Sequence, residues 1–500
     1  MVQSCLTVLP KKNMITKFIK QLLTPKNKDA VKAPSGSREA KKKALKKAKT
    51  PVSHKANAYP AKKHGINPKY ISEAAMMVTQ TLAEAGFEAY IVGGAVRDLM
   101  EGLQPKDFDV ATNATPEQVV KLFRRARIIG RRFRIVHVPH RRDLIEVTTF
   151  RSANTDNQDT DAHGRVLRDN QFGTLQDDAV RRDLSVNALY YDTKRQVVLD
   201  YHGGVDDLRD QTLRIIGDPI TRFREDPVRM LRVLRFMAKL GFDVDAATLD
   251  AMDECKPLLG NIPQARLFDE TLKFFTTGHA NASLDALQDH DFTEYLMPVL
   301  ADVMDTEKGA TWVHAMLEQT DARVNADKSI SPGFLFAALM WPKIEERWTF
   351  YQKTEPQMIA LDRAINEVIN QHNDQVTITK RFMSDMRDIW SLQPRLERRL
   401  PRSIAGLIGH PRFRAAYDFL LLRAQLDHLG EAGLPVATWW GDLYDASHTQ
   451  REQMIADLRN SPRANVNPIT GQADPVKRKR RRRKSNSGAN KTASENPSTE

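Results

Sequence analysis

The stretch Ile91-Val92-Gly93-Gly94-Ala95-Val96-Arg97-Asp98, followed by Lys106-Asp107-Phe108-Asp109-Val110, decides the fold expected for this chain. The first stretch predicts a buried strand, a glycine turn and the start of a helix. Asp107 and Asp109 stand two residues apart at the start of the next strand, so their side chains share one face. Two carboxylates this close repel each other unless a cation lies between them. Mg²⁺ is held by one or two carboxylates with substrate phosphates, so the pair indicates phosphoryl or nucleotidyl transfer.

The two glycines ahead of the aspartate pair predict a phosphate cradle. Glycine lets the backbone approach a phosphate, and the N–H groups at the start of a helix are free to donate. Arg97, one turn into the helix, could add a charge-assisted contact, and Asp98 completes the motif. Gly93-Gly94 alone would more often be a plain turn, but the motif together with Asp107-Phe108-Asp109 is far more specific.

Two residues compete to be a third carboxylate. Glu146 lies in a β-rich run, where a charge is costly unless it is paired or binds a metal, and the alternative is an exposed strand face. Asp183, in Arg181-Arg182-Asp183, is the rival, and it could instead be a helix N-cap. Asn187 is expected to share a helix face with Asp183. Together with Arg182 it would grip the ribose and triphosphate of a nucleotide.

A further charged motif, Arg224-Glu225-Asp226-Pro227-Val228-Arg229, precedes a strongly helical stretch. Asp226 before Pro227 is the expected N-cap arrangement, which by itself would explain the pair. Asp226 and Arg229 are three residues apart, so they are expected to project together. A carboxylate beside a guanidinium presents acceptors and donors that match the edge of a base.

Arginines are concentrated between Arg124 and Arg142, where eight occur without a lysine. A charge run is usually a solvated face, but Arg131 and Arg132 are interleaved with Phe133 and His137. This composition favours contact with phosphates or bases.

The net charge of +13 comes from the two ends of the chain. Residues 1–64 carry +15 and residues 470–500 carry +6, which leaves the stretch between them at −8. Basic tails predict affinity for a polyanion, most often nucleic acid, and a merely solubilising tail is the alternative. The RNA-binding run of the second tail is expected to be Lys477, Arg478, Lys479, Arg480, Arg481, Arg482 and Arg483.

Composition also excludes several classes of protein. Cys5 and Cys255 give no disulfide framework and no zinc spacing, which fits a reducing, cytoplasmic compartment. We find no apolar run long enough for a membrane span and no apolar core of a signal peptide. Residues 15–23 could form a short helix on a membrane surface, but a frayed tail is the interpretation we favour.

The element pattern predicts an α+β protein. We expect a helix over 70–85, strands over 134–139 and 143–150, a loop over 152–178 and a hairpin around 197–213, with helices dominating to residue 458. By composition, the chain is expected to begin with a basic disordered tail (1–64) and to end with a second one (461–500).

These motifs resemble those of the class II nucleotidyltransferases, which include bacterial poly(A) polymerases and CCA-adding enzymes. The likeness covers roughly residues 66–440 and includes Glu225-Asp226-Pro227-Val228-Arg229. Residues 129–137 are similar to a stretch typical of the poly(A) polymerase branch. The resemblance implies a polymerase-β-like catalytic head (65–215), a helical neck (216–275) and a helical RNA-binding body (276–460). Within the head, Asp107 and Asp109 would hold two Mg²⁺ ions, with Mn²⁺ as an alternative.

The resemblance also implies roles for the other motif residues. The triphosphate would be bound by Gly93, Gly94 and Arg97. Sugar and phosphate would be contacted by Arg182, Asp183 and Asn187. The base would be chosen by Asp226 and Arg229.

The expected activity is template-independent addition of AMP from ATP to RNA 3′ ends, in mRNA processing and RNA turnover. A CCA-adding enzyme is the alternative within the same chemistry, and a non-catalytic RNA-binding scaffold is the alternative outside it. RNA-degradation or RNA-chaperone proteins are the expected class of protein partner.

Overall fold

The computed structural model describes residues 55–130, 134–152, 172–373, 378–461 and 466–471. The predicted α+β class is confirmed, because in the described residues a mixed sheet comes first and mainly helices follow it. Within the described ranges, no helix combines the length and the apolar character that crossing a membrane requires.

The head contains an eight-stranded sheet and six α-helices among its described residues. Its strands are β1 (Asn57–Pro60), β2 (Ala89–Val92), β3 (Asp109–Thr112), β4 (Arg127–Ile129), β5 (Ile135–His140), β6 (Asp143–Thr149), β7 (Leu189–Asp192) and β8 (Val197–Asp200). Its helices are α1 (Ala61–His64), α2 (Glu73–Glu84), α3 (Gly94–Met100), α4 (Pro116–Leu122), α5 (Leu175–Arg181) and α6 (Gly204–Arg209).

Local signals explain two of the helices that pack on the sheet. The Ser72 hydroxyl caps α2 by accepting from the Ala75 N–H at 3.1 Å. A capping box between Thr115 and Gln118, with a proline at the first helical position, begins α4. Both helices therefore start at capping residues that are visible in the sequence.

The sheet has the strand order β1-β8-β7-β2-β3-β6-β5-β4. β3 and β6 are parallel, and every other neighbouring pair is antiparallel. One face packs under α2 and α4 through alternate buried residues such as Val110, Val136 and Val147. On the other face, α5 contributes Leu175 and Ala179 to a small apolar cluster over β2, β3 and β7.

The remainder is helical apart from one short parallel pair, β9 (Thr212–Leu213) and β10 (Asp243–Val244). The neck consists of α7 (Pro219–Glu225), α8 (Val228–Leu240), α9 (Ala246–Cys255) and α10 (Gln264–Phe275). The body consists of α11 (Ala280–Asp289), α12 (Thr293–Leu296), α13 (Pro298–Met304), α14 (Glu307–Asn325), α15 (Pro332–Tyr351), α16 (Gln357–Asn373), α17 (Lys380–Arg398), α18 (Ile404–Ile408), α19 (Phe413–Gln425), α20 (Gly433–Asp445) and α21 (His448–Asn460).

The largest apolar core runs without a break from the head through the neck into the body. It includes Val78 of α2, Leu231 of α8 and Trp390 of α17. A second core lies in the last helices, around Leu396, Trp440 and Leu443. The active-site elements are thus supported by packing that extends beyond the head.

The structure corrects four predicted boundaries. The hairpin is β7–β8, earlier than residues 197–213, and α5 begins inside the predicted loop 152–178. The predicted tail 1–64 ends too late, because residues 57–60 form β1 and pair with β8. Residues 466–471 belong to the folded body rather than to the tail, since Asn467 is buried and Ile469 packs on the last core.

Two of these errors have a local physical cause. The Asp192 carboxylate accepts from the N–H groups of Lys194 and Arg195, both at 2.9 Å, and so closes the β7–β8 turn. The polar start of α5 is a capping box between Thr174 and Asp177. In both places polar residues that are typical of a loop form turns and caps.

Candidate active site

Three carboxylates lie near one another on the β3–β6 pair and on the residues just before β3. Asp109 begins β3, Asp107 lies just before the strand, and Phe108, between them in sequence, is buried in the main core. Asp109 stands directly opposite Glu146 in the parallel β3–β6 pair. This register puts Glu146 beside the aspartate pair, as the sequence predicts for one of the two rival carboxylates.

The electrostatics of this cluster suit a cation. Partial removal from water, followed by the negative charges of Glu146 and Asp107, raises the pKa of Asp109 to about 6, against the opposing charge of Arg182. Because Asp109 remains accessible to solvent, crowding by like charges is the more meaningful cause. Within the described ranges, no three His, Cys, Asp or Glu side chains are close enough to hold a metal ion. A divalent cation here would complete its shell with phosphate oxygens and water.

The glycine turn between β2 and α3 lies close to two arginine side chains. Gly93 has φ +77° and ψ −138°, a conformation that residues with a Cβ rarely adopt. A Cβ at Gly93 would lie 3.7 Å from the Arg182 guanidinium, and one at Gly94 would lie 3.4 Å from that of Arg97. The turn therefore packs closely over two cations.

Arg97 is placed differently from the prediction. It is only 1% exposed, and its guanidinium donates to Asp98 Oδ1 at 2.6 Å and to Asn187 Oδ1 at 2.6 Å. It also lies over the Phe236 ring. A buried and fully engaged guanidinium cannot meet a triphosphate without rearranging. Arg97, Asp98 and Asn187 form a support beneath the glycine turn.

Arg182 is the cation that borders both the glycine turn and Asp109. Its guanidinium donates to the Tyr190 hydroxyl at 2.9 Å and to Asp178 Oδ2 at 3.2 Å. Burial by itself would lower the pKa of Arg182, but Tyr190 and Asp178 outweigh it and raise the pKa. Arg182 is thus a permanently charged group held in place at the site.

Asp183, the other rival carboxylate, faces the neck. It is buried, it accepts from the Leu184 N–H at 2.8 Å, and Arg232 of α8 lies 2.7 Å from its Oδ2. Burial would raise the pKa of Asp183, but Arg232 and the Leu184 N–H outweigh it and lower the pKa. Asp183 and Asn187 do not share a helix face, because residues 185–187 form a short 3₁₀ turn and the two side chains meet different partners.

Besides Arg232, a second neck residue holds the Arg181-Arg182-Asp183 segment in place. The Arg222 guanidinium of α7 donates to the backbone carbonyls of Arg181 and Arg182, each at 2.8 Å. Glu225 lies between Arg222 at 2.9 Å and Arg229 at 3.3 Å. The neck therefore connects the Arg181-Arg182-Asp183 segment of the head to the predicted base reader.

Asp226 and Arg229 lie together in the backbone but their side chains bind different partners. Asp226 ends α7 and Pro227 precedes α8, so the predicted N-cap is wrong by one residue. Asp226 Oδ1 accepts from the Val228 N–H at 3.3 Å, and its Oδ2 accepts from Arg266 of α10 at 2.7 Å. Both oxygens of Asp226 are thus oriented by the neck.

Positive charge accumulates around this pair. Burial and the neighbouring arginines lower the pKa of Arg181 and of Arg229 to about 10 each. The same causes lower the pKa of Arg235 and of Lys239, which lies near Asp98 and Asp107. Crowded cations indicate a place for an anion.

Sequence reasoning missed several supporting residues. Arg222, Arg232 and Arg266 were not predicted to contact the site. A usable signal was the spacing of Arg229, Arg232, Arg235 and Lys239, which puts four cations along one side of α8.

The predicted RNA-binding residues Arg131, Arg132, Lys477, Arg478, Lys479, Arg480, Arg481, Arg482 and Arg483 lie outside the described residues. Among the neighbouring arginines that are described, Arg134 pairs with Glu117 and Arg141 pairs with Glu73. Arg127 has no ion pair within the described part of the chain.

Three regions match known families. Residues 89–214 match the poly A polymerase head domain, residues 241–304 match a probable RNA and SrmB-binding site of polymerase A, and residues 353–486 match the polymerase A arginine-rich C-terminus.

The chain is also similar to individual proteins. It is 42% identical over 417 residues to a poly(A) polymerase I of Escherichia coli, covering 81% of this chain and 89% of the relative. It is 40% identical over 193 residues to a CCA-adding enzyme of Bacillus pumilus, covering 38% and 47%. A solved tRNA-processing enzyme, in its apo form I, shares the fold with a TM-score of 0.53, 21% identity, and 79% and 99% of the two chains covered.

Proposed function

The chain belongs to the bacterial poly(A) polymerase family, and from this membership we propose that it adds AMP from ATP to RNA 3′ ends without a template. The observation that carries the proposal is Asp107 and Asp109 beside the Gly93-Gly94 turn, in a chain similar to a poly(A) polymerase I over most of both lengths. In the cell such an enzyme would act in mRNA processing and RNA turnover.

Residues of the head and neck would have different roles in the reaction. The terminal 3′-hydroxyl loses its proton, its oxygen bonds to the α-phosphorus of ATP, and the bond to the bridging oxygen breaks so that pyrophosphate leaves. Arg182 and the glycine turn hold the triphosphate. Arg97, Asp98, Asn187 and Asp183 keep these groups in place, and positioning with charge stabilisation supplies most of the catalysis.

Asp107 and Asp109 would hold the divalent cations, and we propose two Mg²⁺ ions, with Mn²⁺ as an alternative. The raised pKa of Asp109 supports this role, because a carboxylate crowded by like charges gains from a cation. When bound, such ions lower the pKa of the attacking hydroxyl and stabilise the leaving pyrophosphate. Glu146 is the third carboxylate that we favour, since the sheet register places it beside Asp109.

Asp226 and Arg229 would select the base. Asp226 can accept from the adenine amino group, and the Arg229 guanidinium can donate to a ring nitrogen. Cytosine also offers an amino group beside a ring nitrogen, so residue type alone does not choose between them. The ion pair between Asp226 and Arg266 fixes where the carboxylate lies, and we propose that this position favours the larger base.

A CCA-adding enzyme remains the second candidate within the same chemistry. The similarity to one such enzyme covers only 38% of this chain, whereas the similarity to a poly(A) polymerase I covers 81%. A non-catalytic scaffold would need neither the carboxylates nor the glycine turn. The larger share of the chain covered by the poly(A) polymerase favours polyadenylation over CCA addition. The carboxylates and the glycine turn favour it over a scaffold.

The deciding experiment offers each nucleoside triphosphate alone to the purified protein with a short RNA primer and Mg²⁺. We expect long extension products with ATP and little incorporation with CTP, GTP or UTP. A tRNA that lacks its CCA end serves as the competing substrate. Efficient CTP use on that tRNA would identify a CCA-adding enzyme, and no incorporation from any nucleotide would leave only the scaffold.

A further inference from the structure

Half of one face of the head sheet is left open by the described helices. Over β7, β2 and β3 this face is covered by the cluster that α5 completes. Over β6, β5 and β4 it is not, and Leu144 of β6 and Ile129 of β4 remain 49% and 47% exposed. The opposite face of the same strands is buried under α2 and α4. We call the uncovered part, formed by β6, β5 and β4, the open half-face.

Four side chains form one row across the sheet toward this open half-face. Asp109 stands opposite Glu146, Glu146 opposite His137, and His137 opposite Arg127. Residues directly opposite each other in a ladder point to the same face. The row therefore begins at the proposed metal site on β3 and ends at Arg127 on β4, a cation without an ion pair among the described residues. Its length is three strand spacings, or about 14 Å.

The order of the strands shows on which side of Asp109 the triphosphate and the attacking hydroxyl would lie. The glycine turn and Arg182, which would hold the triphosphate, lie on the β2 side of Asp109. In phosphoryl transfer the attacking and leaving oxygens lie roughly in line on opposite sides of the phosphorus. If pyrophosphate leaves toward β2, the attacking hydroxyl must arrive from β6.

On the basis of the proposed function, we propose that the 3′-terminal nucleotides of the RNA lie across the open half-face. The 3′-hydroxyl is next to Glu146 and Asp109, and the preceding phosphates run toward His137 and Arg127. The RNA thus enters over β4 and passes over β5 and β6 to reach the reaction centre.

The side chains along the row suit a single strand of RNA. Arg127 is exposed and has no ion pair among the described residues, so it is available to a phosphate. His137 is partly exposed and lies 3.5 Å from Glu146, between the cation and the carboxylates. Leu144 and Ile129 offer apolar surface to bases. Continuity with the catalytic carboxylates favours the substrate itself over a protein partner as the occupant.

The test compares two charge-changing substitutions in the open half-face. Arg127→Glu should raise the KM for a short RNA primer about tenfold, while the KM for ATP and kcat at saturating primer stay near wild type. Leu144→Glu, at an exposed position of the same half-face, should act in the same direction. Arg195→Glu, on the β7–β8 turn at the other side of the sheet, is the matched control and should leave the primer KM unchanged.

A second measurement follows the path of the RNA directly. A primer carrying a photoreactive uridine two or three nucleotides from its 3′ end is crosslinked to the wild-type protein, and the adducts are mapped. Adducts within residues 127–148 support the path. Adducts confined to the helical body, with unchanged primer KM in both variants, overturn it while the wild type still polyadenylates. A wild type that incorporates no AMP contradicts the proposed function itself, and the path with it.

Discussion

Asp109 and Glu146 occupy directly opposed positions of the only parallel strand pair in the described head sheet. A parallel pair here joins two strands that are separated in sequence by β4 and β5. The register therefore brings into one cluster two carboxylates that the chain itself keeps apart. This relationship identifies which of the two rival acids lies beside the aspartate pair.

Replacing either aspartate of the pair should abolish AMP incorporation without unfolding the protein. For Asp107→Asn and Asp109→Asn we expect less than roughly one-thousandth of the wild-type rate in Mg²⁺. Both side chains are exposed, so circular dichroism and the melting temperature should stay near wild type. Substantial incorporation by either purified variant would refute the assignment of the metal site.

At subsaturating Mg²⁺ the activity should fall as the pH drops below about 6, because a proton on Asp109, whose pKa in the metal-free protein is raised to about 6, competes with the cation. The stability of the metal-free protein should change in the opposite direction. A folded-state pKa above the unfolded value means that the folded state binds the proton more tightly, so stability is lost as the pH rises from about 4 to 6. Thermal unfolding without divalent ions, compared between wild type and Asp109→Asn, measures this pH dependence, which the variant should lack.

Glu146→Gln and Asp183→Asn should fail in different ways. Glu146→Gln should lower kcat strongly and leave the free energy of unfolding nearly unchanged, since Glu146 is half exposed. Asp183→Asn should weaken the contact with Arg232 and cost about 1–2 kcal/mol of stability, allowing for the solvent exposure of Arg232. Chemical denaturation alongside single-turnover kinetics separates the two. If Glu146→Gln kept its activity while Asp183→Asn was stable but inactive, Asp183 would be the third catalytic carboxylate and Glu146 would not.

Removing the partner of Asp226 should relax the choice of nucleotide. We expect Arg266→Ala to lower the ratio of kcat/KM for ATP over CTP by about tenfold, or about 1.4 kcal/mol, because the carboxylate is no longer held. Arg224→Ala, which removes a comparable neck ion pair with Glu254, is the matched control. Equal ATP preference in all three proteins would mean that the pair has no part in selection.

The basic C-terminal run should act as an affinity device for RNA. Deleting residues 475–500 should weaken RNA binding and reduce the salt dependence of the binding constant, by about 0.7 in the logarithmic slope for each phosphate that is no longer neutralised. Deleting only 486–500 keeps the run Lys477–Arg483 and should change neither. Filter binding over a range of salt concentrations measures both quantities. An unchanged slope in the longer deletion would exclude this role.

Sequence reasoning predicted the structure well where the spacing of residues along the chain is enough to determine it. The double glycine and the strand before it are local and lie where they were predicted, whereas the strand after them begins at Asp109, so that Asp107 lies just before it rather than in it. The register that brings Glu146 to Asp109 is not local, because it depends on which strands pair. Sequence reasoning could therefore only offer Glu146 and Asp183 as rivals.

Arg97 shows how packing can place a side chain differently from what its motif predicts. Its residue type and its place in a glycine motif predict a phosphate contact, but packing under Phe236 and pairing with Asn187 bury it. The contacts of Arg222, Arg232 and Arg266 were missed for a related reason. Each reaches a residue that is distant in the chain, so no pattern within a short window reveals it.

The two carbonyl contacts of Arg222 have a consequence for modularity. Since a neck side chain completes the backbone environment of Arg181 and Arg182, the head alone does not complete the site at which we propose that the nucleotide binds. A head transplanted between relatives should keep its activity only when α7 and α8 accompany it. The smallest segment that can be exchanged between related enzymes with its activity is then the head together with α7 and α8. A working exchange boundary therefore lies after Leu240.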